Sequence, residues 1–284
     1  SYILLREKFD LLQIKLILFF LVAFIVLTFL PSEVFADWYD SSWEHRKKIT
    51  ISLNTVISSD LDNFPVLVST IDTDLIQTTE SDGTDIVFTA SDGTTELAYE
   101  IERFDQSTGE VIAWVKIPTV SASENTDIYI YYKGTATSSS SSVWDNNYKL
   151  VYHLNQTVDG TVDEITDASG TGNHGTAGGT GDHTNEQDRI TTRVEAKIGY
   201  GQSFDGPTQT SLNTKGSGDF IWIDEPTIPT DDVTVEFWVN IATDEDNVND
   251  MALFGYHGGD QSNELLLTRA DSLNFLLRGV KILD

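Results

Sequence analysis

Apolar and polar residues alternate with a period of two along most of the chain beyond residue 36, the pattern of strands that bury one face. Ile49, Ile51 and Leu53 alternate behind Arg46, Lys47 and Lys48, and Phe64 to Val68 is a buried run in which Pro65 marks a strand start or an edge. Asp82-Gly83 and Asp92-Gly93 bracket Ile86 and Phe88. Such pairs favour hairpin turns, because glycine accepts the positive φ those turns need. Leu97, Tyr99 and Ile101 alternate with Glu96, Glu100 and Glu102. Glu110 to Ile117 predicts a central strand with Trp114 in the core and Pro118 as its stop, and Ile128, Ile130 and Tyr132 predict another. No helical period occurs beyond residue 36, so an antiparallel β-sandwich is expected for residues 37–134.

The alternation breaks at Gly134 and the serine run Ser138 to Ser142, then resumes at Val143, Trp144 and Leu150 to Tyr152. Serine offers little apolar surface to offset its ordering entropy, so residues 135–147 read as a linker between two β domains. Asp159 to Asp188 is polar and glycine-rich, which favours turns. Further strands are predicted at Gly201 to Phe204, Phe220 to Ile223, Leu253-Phe254, Leu265 to Leu267 and Leu273 to Leu277. The clearest runs from Val233 to Ile241, with Val235, Phe237 and Val239 on one face and Glu236, Trp238 and Asn240 on the other.

The first 36 residues change the picture of location. Leu16 to Leu30 is an uncharged apolar run behind Arg6, Lys8 and Lys15, followed by Pro31 and the cleavage-like Val34-Phe35-Ala36. The run is shorter than the ~20 residues a spanning helix prefers and reads as a helical signal peptide cleaved after Ala36. Left uncleaved it is a signal anchor, and the chain's membrane contact is then this segment alone. In both cases the remainder is exported, secreted or held at the cell surface. The net charge is −28, and Arg6, Lys8 and Lys15 balance Glu7, Asp10 and Glu33, so the whole imbalance lies in that remainder. A field of this sign repels phosphate backbones and excludes nucleic acid as a partner. With no cysteine in the chain, both domains must be held by their cores or by metal.

Two resemblances follow from particular phrases. WYDSSWEHRKKITI, NFPVLV, DGTDIVFTASDGTTELAYEIE, VIAWVKIP and DIYIYYKG occur in that order over residues 38–134. They resemble an exported domain family known only as domain of unknown function 2341 (DUF2341), which implies location and no chemistry. YHLN, DASGTGNHGT, IGYGQSFDG, FIWI and DDVTVEFWVN resemble the laminin-G-like, concanavalin A-like jelly roll over residues 148–284. That resemblance implies two curved antiparallel sheets and binding of carbohydrate or protein, often with Ca²⁺. A jelly roll needs about eight strands to cover its edges, so the second domain is expected to be incomplete at the C-terminus.

The expected chemistry is recognition. Trp38, Trp43, Trp222 and Trp238 are candidate sugar-stacking residues, because an indole face suits the apolar CH surface of a sugar ring. Asp163, Asp167 and Asn173, interleaved with Ser169, Gly170 and Gly172, form the candidate Ca²⁺ loop, although without the order of an EF-hand. The histidines lack zinc-site spacing, and the strand around Glu236 carries one acid where a concanavalin-type glycanase has alternating acids. Asn155-Gln156-Thr157 is a glycosylation sequon. The expectation is a non-catalytic adhesion or binding protein of two β-sandwich domains. Its partners are a glycan or a cell-surface or matrix protein. The alternatives are an accessory region of a larger secreted glycoside hydrolase and a structural surface-layer or stalk component.

Overall fold

The computed structural model describes Lys15 and residues 38–53, 57–76, 80–135, 142–178, 190–204, 220–223 and 234–240, together with the strand backbone of 251–257, 264–269 and 273–278. The predicted signal helix lies outside these residues apart from Lys15. Among the described residues no helix is long and apolar enough to cross a membrane. The chain is all-β with antiparallel sheets.

Six strands organise residues 45–132: β1 (His45–Ile51), β2 (Leu61–Ile71), β3 (Ile86–Thr89), β4 (Tyr99–Asp105), β5 (Glu110–Val120) and β6 (Thr126–Tyr132). They form two three-stranded antiparallel sheets, ordered β1-β6-β3 and β2-β5-β4. The alternation in the sequence maps onto the burial. Val111, Ala113, Val115 and Ile117 of β5 join Ile86 and Phe88 of β3, Ile128 and Ile130 of β6, and Tyr99 of β4 in one core cluster. Pro65 lies on the edge strand β2, where a missing N–H costs no ladder bond.

Two expectations for β5 are corrected. The strand runs through Pro118 to Val120, and the β2–β5 register skips the Asn63–Pro118 rung while continuing at Asp62–Thr119. Asn63 takes a positive φ of 52° there, so proline is accommodated where no N–H is asked of it. Trp114 is not part of the core cluster. It shares the opposite face of β5 with Ile112 and Lys116, out of phase with Val115.

Further strands follow: β7 (Thr176–Ala177), β8 (Thr192–Glu195), β9 (Tyr200–Ser203), β10 (Ile221–Trp222), β11 (Met251–His257), β12 (Glu264–Arg269) and β13 (Leu273–Arg278). β7 pairs with β10, β8 with β9, and β11-β12-β13 form an antiparallel meander. Of the expected strand at Val233 to Ile241, the two end residues lie outside the described residues and the rest is not a strand. Residues 234–240 carry no ladder, and Val235, Phe237 and Val239 are exposed. Alternation supplies a face to bury, but a ladder needs a partner.

Candidate functional site

The four predicted stacking residues have different fates. Trp43 is 4 % exposed and packs edge-on against Tyr39 and Tyr131, with ring centroids 5.8 and 6.5 Å away. A Cβ at Gly134 would stand 2.2 Å from its ring. Trp43 is therefore a core residue with no face left for a ligand, which corrects its sequence assignment. Trp38 is 42 % exposed and donates from Nε1 to the Trp43 carbonyl at 2.9 Å. The Arg46 guanidinium lies 4.9 Å from its ring centroid and 4.8 Å from that of Tyr129. Trp222 on β10 is 52 % exposed, and Trp238 in 234–240 is 68 % exposed with Lys197 Nζ 5.8 Å from its ring centroid.

The proposed calcium ligands differ in their surroundings, although Asp167 and Asn173 are in contact. Asp167 is buried, and its two oxygens are taken by protein donors. Oδ1 accepts from the amides of Val151 and Ser169, and Oδ2 from Ser169 Oγ, Thr171 Oγ1 and the Asn173 amide. Burial pushes its carboxyl up, but these bonds outweigh that and hold it below the usual carboxylate range. Asn173 donates from Nδ2 to the Lys149 carbonyl and Thr171 Oγ1, while Asp163 is exposed on a turn with φ 62°. Among the described residues no three acidic, histidine or cysteine side chains are grouped to hold a metal. Asp167 organises this loop through the amide and hydroxyl donors that its two oxygens accept.

A cluster the sequence reading missed lies on the face of β2-β5-β4 turned away from the core cluster. A bulge between Ile101 and Arg103 re-phases β4 at Glu102. His153 sits between two carboxylates: Nε2 is 3.1 Å from Glu100 Oε1, and Nδ1 is in ion-pair contact with Glu102. The Glu102 side chain is 1 % exposed and that of His153 11 %. Trp144 Nε1 donates to Glu100 Oε2 at 3.0 Å, and Asn155 Nδ2 donates to Glu102 Oε1 at 3.2 Å. The Trp144 ring lies 5.2 Å from Trp114, 5.0 Å from Tyr148 and 6.1 Å from His153. Alongside, Arg103 pairs with Glu110 and Glu195, and Tyr200 takes Arg103 and Arg193 against its ring. Arg103 and Tyr200 also line an open cavity of about 460 Å³ with Ser81, Glu102 and Ser107.

Burial pulls the His153 imidazole down, but Glu100 and Glu102 outweigh it and raise it to about 9, so the ring is a cation at neutral pH. Glu100 is raised by burial and lowered more by His153 and Trp144, ending below the usual range. The sequence held one usable signal, a pair of acids alternating with Tyr99 and Ile101 on a strand whose other face is core. Nothing local tied His153 to them.

The family model described as Domain of unknown function (DUF2341) matches residues 82–174. The match overlaps the resemblance read over 38–134, continues across the serine stretch, and contains Glu100, Glu102, Trp114, Trp144 and His153. No laminin-G-like or concanavalin A-like family model matches. No curated protein and no solved structure gives a significant match.

Proposed function

We propose that this chain is an exported, non-catalytic binding protein that recognises carbohydrate at the cell surface through exposed tryptophan faces. In this reading the sheets β1-β6-β3 and β2-β5-β4 stack as a sandwich on their shared core, and the later strands belong to a jelly roll whose rim carries Trp222 and Trp238. One observation carries the proposal. Of six tryptophans, Trp43, Trp114 and Trp144 are engaged in packing, whereas Trp38, Trp222 and Trp238 keep about half or more of their surface in water. Tryptophan is costly to leave exposed, and such rings suit ligands with one apolar face. Arg46 and Lys197 beside two of these rings add donors for sugar hydroxyls.

The test is a glycan array probed with the chain, once with Ca²⁺ and once with chelator. The expected result is binding that weakens about tenfold or more for Trp222→Ala or Trp238→Ala, with Trp38→Ala defining a separate contribution. Absence of any glycan signal in both conditions, or binding unchanged in the triple variant, overturns the proposal.

A further inference from the structure

We propose that His153, held between Glu100 and Glu102 under the Trp144 ring, is a protonation-dependent latch that fastens residues 143–156 to the face of the β2-β5-β4 sheet turned away from the core cluster. The geometry supplies the argument. One buried imidazole presents a different nitrogen to each of two carboxylates on β4, so a single cation bridges the two parts of the chain. Hydrogen bonding to Glu100 and Glu102 and the attraction between the charges together hold the ring between the two carboxylates. Leu154, immediately after the histidine, has a φ of 58°, a left-handed conformation that a leucine adopts only when its neighbours impose it. Those neighbours are His153 and Asn155, both tied to Glu102, and Gln202, whose Nε2 donates to the Leu154 carbonyl at 3.0 Å.

Among the described residues the cations nearby are engaged with other groups, Arg193 donating to the Asn155 carbonyl and lying against the Tyr200 ring. From β4 the His153 ring faces Glu100 and Glu102. Arg103 is matched by Glu110 of β5 and Glu195 of β8, and Lys116 of β5 donates to the Ser142 carbonyl. Loss of the imidazole proton therefore leaves one ring nitrogen without its N–H and the two carboxylates without their cation, and the strained Leu154 turn is released. Because the folded value of about 9 lies above the ordinary 6.5, the latch is complete below about pH 6.5 and is lost as pH rises through about 9.

The chain has no cysteine, so two can be introduced as unique label sites at exposed positions. Glu124→Cys and Val162→Cys place spin labels on the β5–β6 turn and on the loop region joined to residues 151–152 through Asp167. The expected distance distribution is narrow at pH 6 and broad at pH 10. The midpoint should match the His153 titration followed by NMR, and far-UV circular dichroism should stay unchanged. His153→Gln should give the broad distribution at both pH values. Should that variant not fold, the titration of the parent chain is decisive alone. A distribution that stays narrow after His153 has lost its proton, a His153 midpoint near 6.5, or loss of the whole β spectrum at the same pH would each overturn the latch.

Discussion

Gly134 carries no side chain because none fits: a Cβ there would lie 2.2–2.5 Å from three carbons of the Trp43 ring. Gly134→Ala must displace a buried indole, and the expected cost is about 1–3 kcal/mol, read as a lowered Tm. Gly109 is tighter still, with φ 74° and a hypothetical Cβ 2.0 Å from the Asp72 carbonyl oxygen. Asp167 shows the same economy among polar residues. Asp167→Ala leaves the amides of Val151, Ser169 and Asn173 without their acceptor, and the expected loss is about 1–3 kcal/mol. The loss should be the same with Ca²⁺ and with chelator, which a pair of thermal melts checks. From sequence the acid among Ser, Gly and Asn residues was legible as a turn former. Whether its oxygens faced a cation or amides was not, because those amides come from residues up to 16 positions away.

Among the elements, β5 bears the most cross-strand pairing, flanked by β2 on one side and β4 on the other. Ile117 is buried in the core, and Ile117→Ala is expected to cost about 2–5 kcal/mol in denaturant titration, with the slope unchanged. The edge strand β1 answers to a different rule. Lys47 bridges Asp72 and Asp74, burial lowering its pKa and the two carboxylates raising it further, but its side chain is 37 % exposed. Lys47→Met should therefore shift stability by less than about 1 kcal/mol in the same titration. Trp114 and the run Val233 to Ile241 show where pattern reading fails. A tryptophan in a buried strand can serve either face, and it is the arrival of Trp144 that covers this one. Among the described residues, 234–240 form no ladder, however regular the alternation.

For the whole molecule, a net charge of −28 on 284 residues means that like charges repel across every surface of the fold. Screening should relieve this: raising NaCl from ~0.05 to ~1 M, where the Debye length falls from roughly 14 to 3 Å, should raise Tm. A Tm that falls with salt would show that attractive pairs such as Arg103 with Glu110 and Glu195 outweigh the general repulsion. The family match spanning residues 82–174 also crosses the serine stretch, as the Trp144 and His153 contacts do.

Period-two alternation, glycine-bearing turns and the absence of a helical period were enough to determine an all-β chain and the strands of residues 45–132. These are local consequences of backbone geometry and of which side chains avoid water. The tertiary structure alone decided that Trp43 is core while Trp38 is exposed, that Asp167 serves amides, and that His153 meets Glu100 and Glu102. Each of those outcomes depends on groups distant in the sequence arriving at one point, and no residue's neighbours along the chain encode that meeting.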